Sequence, residues 1–148
     1  MTKPIFVLNG PNLNRLGKRE PEIYGTTTIA EIEGWCREAA GDRPMRFHQT
    51  NAEHQLVDWV HEAIDEGAGI VINPAGLSFR SIPLLDSLKM FLGPIVELHI
   101  SNIHRRDEIY HKSLVSTVAT AVICGLGPRG YIHAVRAVIE LVDARKNG

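Results

Sequence analysis

A tyrosine, a histidine and two kinds of charged side chain stand in this sequence where they could move protons. Glu97 and His99 are two residues apart in the segment Val96-Glu97-Leu98-His99-Ile100-Ser101. If that segment is a strand, its period of two puts Glu97, His99 and Ser101 on one face. A carboxylate beside an imidazole then orients it as a general acid. Tyr24 closes a long polar stretch that begins at Asn9 and also holds Arg19. An ordinary tyrosine ionises near a pKa of about 10, and neighbouring guanidinium groups stabilise its phenolate and lower that value. To reach neutral pH takes more than one such cation or a site that excludes water, since each tenfold change in ionisation is about 1.4 kcal/mol. Arg105 and Arg106 are expected at the same edge. One base, one acid and amides able to hold an oxyanion suit abstraction of a proton beside a carbonyl, followed by loss of a leaving group. That is lyase chemistry, and it calls for neither metal nor nucleotide.

Those residues need a scaffold, and the apolar pattern supplies one. Short apolar runs at Ile5–Leu8, Met45–Phe47, Gly69–Ile72, Ile95–Leu98 and Ala119–Ile123 read as strands. Between and after them, apolar residues recur near the helical period: Ile29 to Ala39, Leu56 to Ile64, Ile82 to Phe91 and Ile132 to Val142. Strands alternating with helices mean βαβ units and a parallel sheet. The prediction is a single α/β domain over residues 1–148, a flavodoxin-like three-layer sandwich with a five-stranded parallel sheet of order 2-1-3-4-5. In such sheets ligands bind beyond the carboxyl ends of the strands. Asn9 ends the first strand, Asn73-Pro74-Ala75-Gly76 the third, and His99 to Asn102 the fourth. Three strand ends thus converge polar groups on one edge, beside a long loop between the first strand and the first helix, a kind of loop that is commonly functional.

Composition excludes several classes. The chain has 148 residues, 44% apolar and 22% charged, with a net charge of −1. Without a basic tract there is no electrostatic footprint for nucleic acid, and no apolar stretch reaches membrane length. Cys36 and Cys124 fall in an expected helix and an expected strand, so neither a disulfide framework nor a zinc site is expected. A cytoplasmic enzyme or binding protein is the expectation. Gly10 to Lys18 superficially resembles a phosphate-binding loop, but six residues rather than four separate Gly10 from Gly17, and Arg19 stands where a magnesium-binding hydroxyl is needed. His99, His104 and His111 match no metal-ligand spacing. Gly125 to Gly130 is interrupted by Pro128 and reads as a turn into the last helix. His48, His54, His61 and His133 are expected on the surface or packed, outside the cluster.

Taken in order, Leu8-Asn-Gly-Pro-Asn-Leu-Asn14, Arg19-Glu-Pro21, Tyr24-Gly25, Gln49-Thr-Asn51, Ile72-Asn-Pro74, Val96-Glu-Leu-His-Ile-Ser-Asn-Ile-His104 and Gly125-Leu-Gly127 resemble type II 3-dehydroquinate dehydratases. The resemblance runs from about residue 4 to residue 140. It implies a homododecamer built as a tetramer of trimers, working without cofactor or metal. It also implies anti elimination of water from 3-dehydroquinate to 3-dehydroshikimate through an enolate. At matching positions Tyr24 would be the base and Arg19 its activating partner on a lid. Asn12 would hold the water or oxyanion that stabilises the enolate. His99 would protonate the departing hydroxyl, positioned by Glu97. Asn73, the amides of Ile100 and Ser101, and Arg106 would bind substrate, and Asp86 would reach a neighbouring subunit's site.

The chain departs from the family pattern at two substrate-contact positions. Phe79 stands where the family carries His, in a run that here reads Ser78-Phe79-Arg80-Ser81, and Tyr110 stands where it carries a second Arg. A site built to hydrogen-bond hydroxyls discriminates by those bonds. Arg80 or His111 turned inward would replace the lost donors. The alternatives are a paralogous dehydratase acting on a related hydroxy-ketone ring acid and a non-catalytic ligand-binding member. Intact Arg19, Tyr24, Glu97 and His99 weigh against the last, because binding alone needs no base paired with an acid. The resemblance leaves open service in the shikimate pathway to aromatic amino acids or in quinate catabolism.

Overall fold

Four runs rich in β-branched and aliphatic residues, with the mixed run Met-Arg-Phe-His-Gln as β2, form the parallel strands β1 (Ile5–Asn9), β2 (Met45–Gln49), β3 (Gly69–Asn73), β4 (Ile95–His99) and β5 (Ala121–Cys124). The computed structural model describes residues 2–18 and 21–147. The strands lie in the order β2-β1-β3-β4-β5, as the sequence predicts. Five α-helices accompany them: α1 (Pro21–Tyr24), α2 (Ile29–Ala40), α3 (Glu53–Glu66), α4 (Ile82–Lys89) and α5 (Gly130–Asn147). The register places Ile5 beside Met45 and Gly69, Ile72 beside Glu97, and His99 beside Cys124.

The central strands β1, β3 and β4 bury alternate residues on opposite faces, so the sheet has two cores. Val7, Val71, Val96 and Leu98 pack with Ile32 and Cys36 of α2 and with Ala134, Val135 and Val138 of α5. Phe6, Leu8, Ile70 and Ile72 pack on the other face with Leu56 and Val60 of α3 and with Leu84 and Leu88 of α4. Cys36 sits in the first core with its thiol pushed up to about 12 by burial, so it is inert there.

Local signals start and stop the helices. Thr28 caps α2, its Oγ1 accepting from the Glu31 amide at 3.2 Å while donating to the Glu31 carboxylate. Gly41, with φ of 61°, ends that helix. Ser81 caps α4 by accepting from the Leu84 amide at 3.0 Å. α4 stops at Lys89, short of the expected Phe91, because the Met90 and Phe91 amides turn back to Ser87 and Leu88 in tight turns. β5 begins later than expected. The Val118 amide closes a 3-10 turn at Val115–Thr117 by donating to the Val115 carbonyl, which also takes the Ala119 amide, so the register with β4 starts at Ala121. β2 runs two residues beyond Phe47, carried by pairing of Gln49 with Asn9. No helix among the described residues is long and apolar enough to cross a membrane.

Candidate active site

The chain passes from β1 into α2 on one face of the sheet and from β3 into α4 on the other, so a topological switch point lies at the adjacent carboxyl ends of β1 and β3. A cavity of about 170 Å³ opens there. Its floor is the ends of β1, β3 and β4. Three short backbone devices shape it. The Gly10 amide donates to the Asn73 carbonyl at 2.9 Å, and a Cβ at Gly10 would sit 2.4 Å from the Pro74 carbonyl oxygen, so only glycine lets the two strand ends approach this closely. Asn12 lies in the left-handed region with φ of 72°, a conformation its short polar side chain tolerates. Its amide donates to Asn51 Oδ1 at 2.9 Å. Gln49 Nε2 ties the same corner together, donating to the Gly10 carbonyl and to Asn51 Oδ1, both at 3.1 Å.

Glu97 and His99 meet as their spacing predicts. His99 Nε2 donates to Glu97 Oε2 at 2.5 Å, which leaves Nδ1 as the ring nitrogen available to a ligand. Glu97 is completely buried. Its Oε2 also accepts from Ser113 Oγ, and its Oε1 from Ser116 Oγ, both at 2.6 Å. Burial alone would lift this carboxyl; the bonds from His99, Ser113 and Ser116 together bring it below its ordinary value instead. Beyond His99, the amides of Ile100 and Ser101 donate to no protein acceptor among the described residues, and both residues line the cavity. Two free amides at a strand end are ready donors for a carboxylate or an oxyanion.

Asn73 is held from behind. Its Nδ2 donates to the Tyr131 hydroxyl at 2.9 Å, and its Oδ1 accepts from the Ala75 amide at 3.2 Å. Tyr131 in turn donates to Asn9 Oδ1 at 2.6 Å. Burial pushes the Tyr131 phenol well above its ordinary range, so it stays protonated and serves as a strut. One Nδ2 hydrogen of Asn73 remains for the cavity. The Ala75 backbone, with φ of 52°, carries the chain from Asn73 into the 3-10 turn Ala75–Phe79.

The opposite wall is aromatic. Phe79 lies 6.0 Å from the His99 ring and meets Tyr110 edge-on at 5.4 Å. The Arg106 guanidinium stacks over Tyr110 at 3.8 Å. Phe79, Tyr110 and Arg106 all line the cavity. Of the expected site residues, Asn12, Asn73, His99, Ile100, Ser101, Arg106, Phe79 and Tyr110 are brought together here, with Glu97 directly behind His99. Arg105 does not join Arg106 at the cavity; it is exposed at the end of a 3-10 turn, Ile103–Arg105. Nor do Arg80 and His111 turn inward: both are exposed, and His111 Nε2 donates to the Arg106 carbonyl at 2.7 Å. Asp86 is on α4, exposed and 3.9 Å from Lys89, away from this cavity. Arg19 and the side chain of Tyr24 lie outside the described residues; the Tyr24 backbone closes α1.

Sequence reasoning missed Ser113, Ser116 and Tyr131. The serines read as loop residues, and Tyr131 falls outside the stripe Ile132 to Val142 expected for the last helix. The signal that points to it is its place one helical turn before Val135, which puts a phenol on the buried face, where it needs a partner.

A family model described as dehydroquinase class II matches residues 3–139. The chain is 53% identical over 142 residues to the 3-dehydroquinate dehydratase of Bartonella bacilliformis, covering 95% of this chain and 90% of that protein. It is 49% identical over 148 residues to the 3-dehydroquinate dehydratase of Rhizobium meliloti, covering 99% of this chain and all of that one. The crystal structure of the type II dehydroquinase from Propionibacterium acnes superposes with a TM-score of 0.83 at 43% identity, over 97% of this chain and 98% of that one.

Proposed function

The chain belongs to the class II dehydroquinase family, and from that premise we propose that its cavity dehydrates 3-dehydroquinate to 3-dehydroshikimate by anti elimination through an enolate. A base takes the proton from the carbon beside the ketone. The enolate then expels the hydroxyl, which leaves as water with a proton from His99. The His99–Glu97 pair at the cavity floor, set beside the free amides of Ile100 and Ser101, is the observation that carries this reading. A carboxylate on Nε2 stabilises the imidazolium and leaves Nδ1–H as the donor. The amides and Asn73 suit the ring carboxylate and adjoining oxygens, with Arg106 as a further cation at the wall. Asn12 suits the water or oxyanion at the enolate. By their place in the motif, Tyr24 is the base and Arg19 its activating partner. The family kinship also supports a dodecamer of four trimers, with Asp86 serving a neighbouring site, and work in the cytoplasm.

The test is the rise of enone absorbance in the ultraviolet on mixing the protein with 3-dehydroquinate. His99→Ala, with fold and assembly intact, is expected to lower kcat by at least about 100-fold, the scale of a lost general acid. A kcat within a few-fold of the parent overturns the role given to His99, and a parent protein inert across a broad pH range overturns the substrate. The aromatic wall favours a second reading. Phe79 and Tyr110 present ring carbon where a polyhydroxylated ring presents oxygen, which suits a related hydroxy-ketone ring acid with fewer hydroxyls.

A further inference from the structure

We propose that Ser113 and Ser116 are positioning residues that keep the proton of the Glu97–His99 pair on the imidazole, where it can be donated. The proposal rests on His99 as the acid. Neither serine lines the cavity, yet each donates a 2.6 Å hydrogen bond to Glu97, one to each carboxylate oxygen. With His99 Nε2 at 2.5 Å on Oε2, Glu97 has three donors and no water-exposed surface.

The balance these donors tip is a real one. A single proton shared by the pair sits on His99, giving imidazolium against carboxylate, or on Glu97, giving two neutral groups. Burial favours the neutral pair, because separated charges lose more solvation than neutral groups do. Only imidazolium is a strong enough acid to serve at neutral pH; a neutral imidazole holds its N–H tightly. Two hydroxyl donors on the carboxylate lower its proton affinity and so return the proton to His99. No other group among the described residues donates a hydrogen bond to this carboxylate. Among the described residues, the neighbours of Glu97 in the sheet are Ile72 on β3 and Val122 on β5. The buried residues of α4 are Leu84, Ser87 and Leu88, and those of the flanking 3-10 turns are Ser78 and Val115. The titratable group facing Glu97 is His99 alone.

Both serines come from one short loop, and that loop is anchored. The Leu114 amide between them donates to the Ser78 carbonyl at 2.7 Å. The placement of the hydroxyls is therefore tied to the same 3-10 turn that presents Phe79 to the cavity.

The test is the pH dependence of kcat for the parent, Ser113→Ala/Ser116→Ala and Ser113→Thr/Ser116→Thr. Without the donors, the proton affinity of the pair rises. The alkaline limb of the profile, which reports loss of the proton that His99 donates, is then expected to move to higher pH by about one pH unit, the scale of a charge-assisted hydrogen bond, while the acid limb, which reports the base, stays in place. The plateau is expected to fall about tenfold while KM changes less than about twofold, since neither serine touches substrate. The threonine pair keeps the hydroxyls and is expected to bring the alkaline limb back toward the parent's. Ser116→Ala alone, at an exposed position, gives the same upward movement in smaller measure and serves where the double variant folds poorly. An alkaline limb that stays in place in folded alanine variants, or that moves as far with threonine as with alanine, overturns the proposal. If it stays in place while His99→Ala still loses turnover, the acid stands and the serines do not. If His99→Ala retains turnover, the functional reading fails first.

Discussion

Phe79 and Tyr110 give one wall of the cavity its carbon surface, and their geometry is specific: edge to face at 5.4 Å, with Arg106 stacked over Tyr110 at 3.8 Å. Stacking desolvates one face of the guanidinium and fixes its plane, which leaves its edges for an anion. Restoring polar groups is expected to favour a hydroxylated ring. Phe79→His with Tyr110→Arg adds donors on that side, and initial rates on 3-dehydroquinate are expected to show kcat/KM raised about tenfold, the gain from one to two net hydrogen bonds. A folded double variant with no gain shows that the aromatic pair is neutral toward the hydroxyls, and removes the case for a less hydroxylated substrate. At this scale the sequence was partly legible. Glu97 and His99 were found because a strand's period of two is a local rule. Ser113 and Ser116 were not, because their partner lies 16 and 19 residues away across a loop that obeys no period.

Helix α5 is long, with an ordinary amphipathic pattern, yet one of its buried positions is polar. Tyr131 joins the ends of β1 and β3 through Asn9 and Asn73. Removing its hydroxyl leaves two buried amide side chains each short of a partner. Tyr131→Phe is therefore expected to lower stability by about 1–3 kcal/mol, the cost of unsatisfied buried polar groups, seen as a lower urea midpoint with an unchanged slope. It is expected to raise KM as well, because Asn73 loses the bond that aims it. A midpoint equal to the parent's counts against the strut. The helices and strands themselves were legible from alternating periods and caps such as Thr28 and Ser81. Their ends were less so, as at β5, where a 3-10 turn competes for the Ala119 amide. α1 escaped notice because four residues beginning with Pro21 carry no apolar period.

The order of the five strands followed from chain length and alternation alone, since few parallel topologies fit. What the chain does with its outer surface was not legible from any pattern. Leu92, Ile109, Leu126 and Val122 are exposed, and Val122 lies on β5, an edge strand that neighbours can cover. The proposed dodecamer is expected to sediment at dodecamer mass rather than at the 16.4 kDa of one chain, and a single species at monomer mass removes it. The Tyr131 strut carries one more consequence, which concerns timing. Its bond to Asn9 closes a separation of 122 residues, and its bond to Asn73 one of 58. As a ribosome delivers the chain, the described residues that line the cavity are all out before the phenol that braces Asn73. Bracing of the two strand ends is therefore among the last contacts the growing chain can make.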